Sequence, residues 1–193
     1  MNAEVWPVIL DYTNRLDPDP AHAKQVCHLS GMMFDGLSPL HRLPSDVRDL
    51  LQAAALLHDI GWSVPDTPHH KASRDIILKD TRMNLSGKER MMIALIARYH
   101  RKSLPRAGHA VFRELNGEAQ HVVCWSSGIL RIADALDRAH QNQVRTVTCT
   151  ITATEIILSC SCISPLRIDS FVFTEKSRLL QKITSRRICL SCT

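Results

Sequence analysis

Leu50-Leu-Gln-Ala-Ala-Ala-Leu-Leu-His-Asp-Ile-Gly61 runs an apolar helix into a His-Asp pair and stops it at a glycine. A helix that is apolar on nearly every face belongs in the middle of a fold. An imidazole and a carboxylate delivered there are costly to bury unless something pairs with them. A divalent cation satisfies both at once, because neutral imidazole and carboxylate oxygen are ordinary ligands of first-row metals. A lone His-Asp pair reads more simply as a buried histidine beside a capping carboxylate. The case for a cation at His58 and Asp59 therefore rests on partners elsewhere in the chain.

The chain's 193 residues, 45% of them hydrophobic, suffice for one core of ordinary domain size. The Leu50 helix is too short to span a bilayer, and no other stretch is apolar enough. Met1-Asn-Ala-Glu-Val-Trp6 lacks a basic start followed by an apolar core, so a cytoplasmic protein without membrane contact is expected. Seven cysteines, an odd number and mostly scattered (Cys27, Cys124, Cys149), suit reduced thiols better than a disulfide framework. The net charge of +5 leans toward anionic partners such as phosphate esters. Aromatics make up only 5% of the chain and are not interleaved with basic residues, so no base-stacking platform forms. A nucleic-acid surface through Arg98, Arg101, Lys102 and Arg106 is accordingly the weakest reading of that charge.

Working outward, Met1 to Leu16 reads as a short covering helix. Asp19-Pro20 is a helix start, Asp capping and Pro in the first turn, and opens a helix through Phe34 with His22 near its beginning. Ser38-Pro39 and Pro44-Ser45 punctuate a loop, and Ser45 is the expected cap of the central helix. Beyond Gly61 a two-proline connection delivers His69-His70-Lys71 to the entrance of a helix from Ala72 to about Lys79. Ser86-Gly-Lys-Glu89 is a capping box for the next helix, which ends in Arg98-Tyr-His-Arg-Lys102. Asn116-Gly-Glu118 starts the longest helical stretch, to about His140. Asp134 lies within it, either in a surface pair with Arg131 or Arg138 or facing inward. Val144 to Ile151 and Glu155 to Cys162 alternate and are β-branched, so they read as a strand pair. A helix from about Ser170 to Ile183 and a strand from Arg187 to Leu190 close the chain. Cys160-x-Cys162 and Cys189-x-x-Cys192 suggest a thiolate zinc site, with spacings poor for a zinc ribbon. The expected fold is mainly α, a helical bundle over residues 1–142 carrying a small β-β-α-β appendage over 143–193, packed as one unit.

Histidines and carboxylates spread over several helices are what a metal site inside a bundle requires, since each helix offers only one or two inward ligands. The order His22, His58-Asp59, His69-His70, His100, Asp134 resembles the HD-domain superfamily of metal-dependent phosphohydrolases. His22-Ala-Lys-Gln-Val26, Ala55-Leu-Leu-His-Asp-Ile-Gly61, His69-His-Lys-Ala-Ser73, Ala97-Arg-Tyr-His-Arg-Lys102 and Arg131-Ile-Ala-Asp-Ala-Leu-Asp-Arg138 narrow it. In these words the chain is similar, over about residues 20 to 190, to the C-terminal HD domain of the exopolyphosphatase/guanosine pentaphosphatase (Ppx/GppA) family.

That resemblance implies that His22, His58, Asp59 and Asp134 hold one divalent metal. His70 (or His69) and His100 would add a second, with Asp59 bridging. It further implies Lys71, Arg101 and Lys102 as phosphate clamps, with Arg138 reaching the substrate. Ligands of nitrogen and oxygen without thiolate admit Mn, Fe, Ni, Co, Zn or Mg. Full-length members of the family bind polyphosphate in N-terminal actin-like ATPase-fold domains, for which this chain has no room, so polyphosphate hydrolysis is not expected to transfer. The leading functional reading is a metal-dependent phosphohydrolase acting through metal-activated water on a small phosphorylated compound or nucleotide. The alternative is a non-catalytic regulatory HD module that binds an anionic ligand or partner protein. A homodimer is left open.

Overall fold

The computed structural model describes residues 1–164 and 168–192, so part of the 143–193 extension lies outside the described residues. The chain is mainly helical, with one small three-stranded sheet near its C-terminus. Helix α1 (Val5–Leu16) lies against α4 (Asp46–Leu57), and the Thr13 hydroxyl donates to the Leu56 carbonyl at 2.9 Å. Helix α2 (Pro20–Gly36) begins as expected: the Asp19 carboxylate accepts from the backbone N–H of Ala21 and His22, each at 3.2 Å. This cap starts the helix early enough to place His22 in its first turn, buried rather than solvated.

The segment expected to be loop contains a single helical turn, α3 (Ser38–His41). The reason is His41: its Nε2–H donates to the Phe34 carbonyl at 2.8 Å, while its Nδ1 accepts from the Leu43 N–H at 2.9 Å. The expected Ser45 cap is absent, since its side chain makes no cap hydrogen bond and its backbone is already helical. The three alanines and the leucines of α4 are buried, as the all-round apolar pattern requires.

Helix α4 ends at Leu57, and a 3₁₀ turn (Ile60–Ser63) follows. Helix α5 (His69–Lys79) starts at His69, three residues earlier than expected. Its Ser73 hydroxyl donates to the His58 carbonyl at 2.7 Å and accepts from the Gly61 N–H at 2.9 Å, clamping the His-Asp turn to α5. The clamp needs glycine: a Cβ on Gly61 would lie 2.1 Å from the His69 carbonyl oxygen and 2.4 Å from the Ser73 nitrogen. Helix α6 (Gly87–Arg98) carries the expected Ser86/Glu89 capping box. After the short α7 (Ala110–Arg113), helix α8 (Gly117–Leu136), capped by Asn116, runs through the core.

Strands β1 (Val144–Ile151) and β2 (Glu155–Cys162) form an antiparallel hairpin, and β3 (Arg187–Cys192) pairs parallel to β2. Parallel pairing demands a crossover, which α9 (Ser170–Thr184) supplies. Val144, Val147, Ile156 and Leu158 are buried, β1 packs on α2, and α9 packs along α8. The thiolate site that the cysteine spacings only weakly suggested is not formed: among the described residues the four thiols make no metal-sized group, and Cys189 Sγ turns to Glu155. No helix among the described residues is long and apolar enough to cross a membrane.

Two outcomes follow. Gly61→Ala should destabilise the protein by about 3 kcal/mol or more, because the obstructing atoms are backbone and cannot swing aside; urea unfolding measures it. His41 is held below its ordinary value of 6.5, chiefly by burial, so its neutral form stabilises the fold above that pH and the contribution is lost as pH falls below it. The stability gap between wild type and His41→Leu should therefore narrow between pH 7.5 and pH 5 in urea midpoints.

Candidate metal centre

The site lies where the C-terminal end of α4, the start of α5, the end of α6, the first turn of α2 and the last turns of α8 meet. His58 caps α4 with helical backbone angles, and Asp59 then leaves them (φ −111°, ψ 2°), so the two side chains turn toward one point. Asp59 Oδ2 lies 3.7 Å from His58 Nε2, and its Oδ1 lies 3.4 Å from His69 Nε2 and 3.6 Å from His100 Nε2. His22 Nε2 stands 3.5 Å from Asp134 Oδ1. Two ligand-like groups result, His22–His58–Asp134 and Asp59–His69–His100, each with its donor atoms within 4.8 Å of one another.

The opposite side of each ring is tied down. His58 Nδ1–H donates to the Ala55 carbonyl at 2.6 Å, His100 Nδ1–H to the Ala97 carbonyl at 2.7 Å, and His22 Nδ1–H to Asp137 Oδ2 at 2.8 Å. Carbonyl and carboxylate oxygens only accept, so a proton sits on each Nδ1 and, in the neutral ring, the lone pair is on Nε2. Second-side hydrogen bonds of this kind orient metal-ligating histidines. His22 Nε2, His58 Nε2 and Asp59 Oδ1 are buried with no hydrogen-bond partner. Buried orphans are rare, and here three of them converge. The donor set therefore fits a cation of the kind that imidazole and carboxylate bind together.

Electrostatics agree. Burial works against a charge on His22, but Asp134 and Asp137 outweigh it and raise its pKa to about 10. Burial likewise opposes ionisation of Asp134, yet Lys176, His22 and the neighbouring histidines hold its carboxyl well below the usual range. Burial, reinforced by His58, keeps His100 well below its ordinary value, which preserves its lone pair. The carboxylates thus create a strong local demand for positive charge.

Above this floor opens a cavity of about 850 Å³ whose wall includes Arg101, Lys102, Arg138 and Lys176. Arg101 Nη1 donates to His69 Nε2 at 3.1 Å. Trp62, more than half exposed, stacks on His69 with ring centres 4.2 Å apart.

Of the residues expected from sequence, His22, His58, Asp59, His100 and Asp134 are brought together, and Arg101, Lys102 and Arg138 reach the cavity. The geometry separates one pair left open, and one expected residue lies elsewhere. His69, not His70, enters the second group: consecutive residues of a helix point about 100° apart, and His70 faces away, its pKa pushed to about 4 by burial and Arg98. Lys71 is exposed on the outer side of α5 and is not part of the cavity wall. Neither Arg131 nor Arg138 pairs with Asp134. Arg131 is spent on backbone carbonyls, with its Nη1 3.0 Å from the Tyr99 oxygen.

The sequence reading gave no role to two residues that hold this site, Asp137, which accepts from His22 Nδ1–H, and Lys176. Lys176, on α9, makes a close ion pair with Asp134 and donates to the His100 carbonyl at 3.0 Å. Its only sequence signal is a lysine on an amphipathic helix, which ordinarily marks a solvated face.

The family model described as Ppx/GppA phosphatase, domain III, matches residues 8–166. The chain belongs to this family. A search of curated proteins returns no match. The matched Ppx/GppA stretch covers α1 through β2 and ends before α9, so Lys176 lies beyond it.

The ion pair gives a test. Lys176→Met leaves Asp134 without its nearest cation and should cost about 3 kcal/mol in EDTA-treated protein, the low end for one-sided loss of a buried pair. Lys71→Met should shift stability by less than about 0.5 kcal/mol. Paired urea titrations check both.

Proposed function

We propose that this Ppx/GppA-family chain is a metal-dependent phosphohydrolase of the HD type, acting on a small phosphorylated compound. What carries the reading is the convergence of three buried, unpartnered ligand atoms, His22 Nε2, His58 Nε2 and Asp59 Oδ1, beneath a cation-walled cavity. His22, His58, Asp59 and Asp134 would hold one divalent cation, and Asp59 with His69 and His100 a second. Such a cation supplies Lewis acidity toward a phosphoryl oxygen and acidifies water.

The chain's own residues do the remainder. Asp137 and the Ala55 and Ala97 carbonyls hold Nδ1–H and so aim each Nε2 at the cation position, His22 giving up its second proton as a cation takes that place. Arg138 and Lys102, exposed at the cavity wall, are placed to bind phosphoryl oxygens and to offset charge as it develops. Arg101 engages the His69 lone pair, so filling the second position requires Arg101 to move onto the substrate. In the first position no arginine has to move; there the His22 proton is replaced by the cation beside the Lys176–Asp134 pair, and this position is expected to fill first.

Protein purified without a histidine tag should bind at least one of Mn, Fe, Ni, Co, Zn or Mg. At one hundred times the dissociation constant the ion should add about 2.7 kcal/mol of stability. His58→Ala and Asp59→Asn should abolish that gain and, on a panel of phosphomonoesters and phosphodiesters assayed with each metal, reduce hydrolysis at least a hundredfold. If no metal binds and both variants behave as wild type, the reading is wrong. Binding of metal with no turnover on any substrate would favour the regulatory alternative.

A further inference from the structure

On the far side of the α6 C-terminus from the metal centre lies a second cavity, of about 280 Å³, lined among others by Arg74, Arg98, Tyr99 and His109. Arg98 is 92% buried by residue area, being 8% exposed, and its Nη1 has no hydrogen-bond partner. Among the described residues no carboxylate lines this cavity, and none lies within ion-pair distance of Arg98. A buried guanidinium without a counter-charge is expensive, and proteins pair such groups.

The hydrogen bonds around it leave a second donor over. Arg106 Nε–H donates to His109 Nε2 at 3.0 Å, so that nitrogen is the acceptor and the ring proton must be on Nδ1. Nδ1–H then donates to the Tyr99 hydroxyl oxygen at 2.7 Å. The Tyr99 O–H proton is left with no acceptor among the described residues. Arg74 is already paired with Asp75 at 2.7 Å and adds longer-range charge. Burial, with Arg106, Arg98 and Arg74 behind it, holds His109 below its ordinary value, which keeps the ring neutral and the relay in this direction.

We propose that this cavity is a second anion site, distinct from the metal centre, that binds a tetrahedral phosphate-class oxyanion through Arg98 and the Tyr99 hydroxyl, with Arg106 and Arg74 supplying charge at its edge. Its volume lies at the lower limit of ligand pockets, about 300 Å³, which suits inorganic phosphate or the terminal phosphate of a small ester. Guanidinium is the side chain best matched to such oxygens. The site does not depend on the metal centre, so the two stand or fall separately.

Isothermal titration of the full chain in EDTA, with inorganic phosphate, sulfate and acetate as separate arms at constant ionic strength, tests it. Phosphate and sulfate should bind, and acetate at least tenfold more weakly. Arg98→Met should weaken phosphate binding at least tenfold and Tyr99→Phe several-fold, while Lys71→Met, which lines neither cavity, leaves it unchanged. If Arg98→Met does not fold by circular dichroism, Tyr99→Phe and the exposed-edge variant Arg106→Gln carry the test. Phosphate binding that survives these variants, is lost only with Arg138→Gln at the other cavity, or is matched by acetate would overturn the proposal.

Discussion

The architecture depends on one constraint: imidazoles and carboxylates are buried together at the meeting point of helix ends, and each must satisfy the other. The backbone resolves half of the problem. A helix C-terminus exposes carbonyls with no intrahelical partner, and both His58 and His100 use a carbonyl three residues back, at Ala55 and Ala97, to hold Nδ1–H. The two histidines therefore share one local geometry on two helices. Each leaves Nε2 aimed at the same carboxylate, Asp59, from different directions. His22 arrives at a helix N-terminus, where no carbonyl is free, and a side chain, Asp137, takes the role instead.

That geometry explains why Gly61 and Ser73 matter although neither reaches the cavity. Asp59 can face His58 on one side and His69 and His100 on the other only if the chain turns sharply after it. The turn is stable only if α5 packs directly on the peptide that follows, a closeness that excludes a Cβ at Gly61. Ser73 then satisfies the two backbone groups the turn leaves open. The C-terminal β-β-α-β piece has a comparable positioning role. The parallel pairing of β3 with β2 forces the chain to cross over through α9, and α9 lies along α8 so that Lys176 meets Asp134.

Legibility in the sequence follows from how local each interaction is. His22, His58, Asp59, His100 and Asp134 stood out because polar residues on apolar helices are conspicuous in one dimension, and the strand pair because its alternation is equally local. His69 and His70 could not be separated, since which of two neighbours faces inward depends on where α5 begins, and that is set by packing against Gly61. Lys71 was read as a clamp through the family resemblance of its His69-His-Lys-Ala-Ser73 word, yet adjacency to the histidines on a helix means divergence in space. Lys176 was invisible because its partner is 42 residues away and nothing in its own segment departs from an ordinary surface helix. The single turn at Ser38–His41 was missed for a similar reason, since the contact that stabilises it is made by one imidazole across a turn.

The end of α6 shows how these local rules bear on the whole. Three successive residues divide between two cavities: Arg98 and Tyr99 line the smaller, and His100 the larger. The backbone between them is held from outside, the Tyr99 carbonyl by Arg131 and the His100 carbonyl by Lys176. Of these two groups only Lys176 also meets the Asp134 carboxylate; Arg131, three residues before Asp134 on α8, is committed to backbone carbonyls. Any rearrangement that drew the Arg98 guanidinium toward an anion would therefore have to pull against the same carbonyls that orient His100.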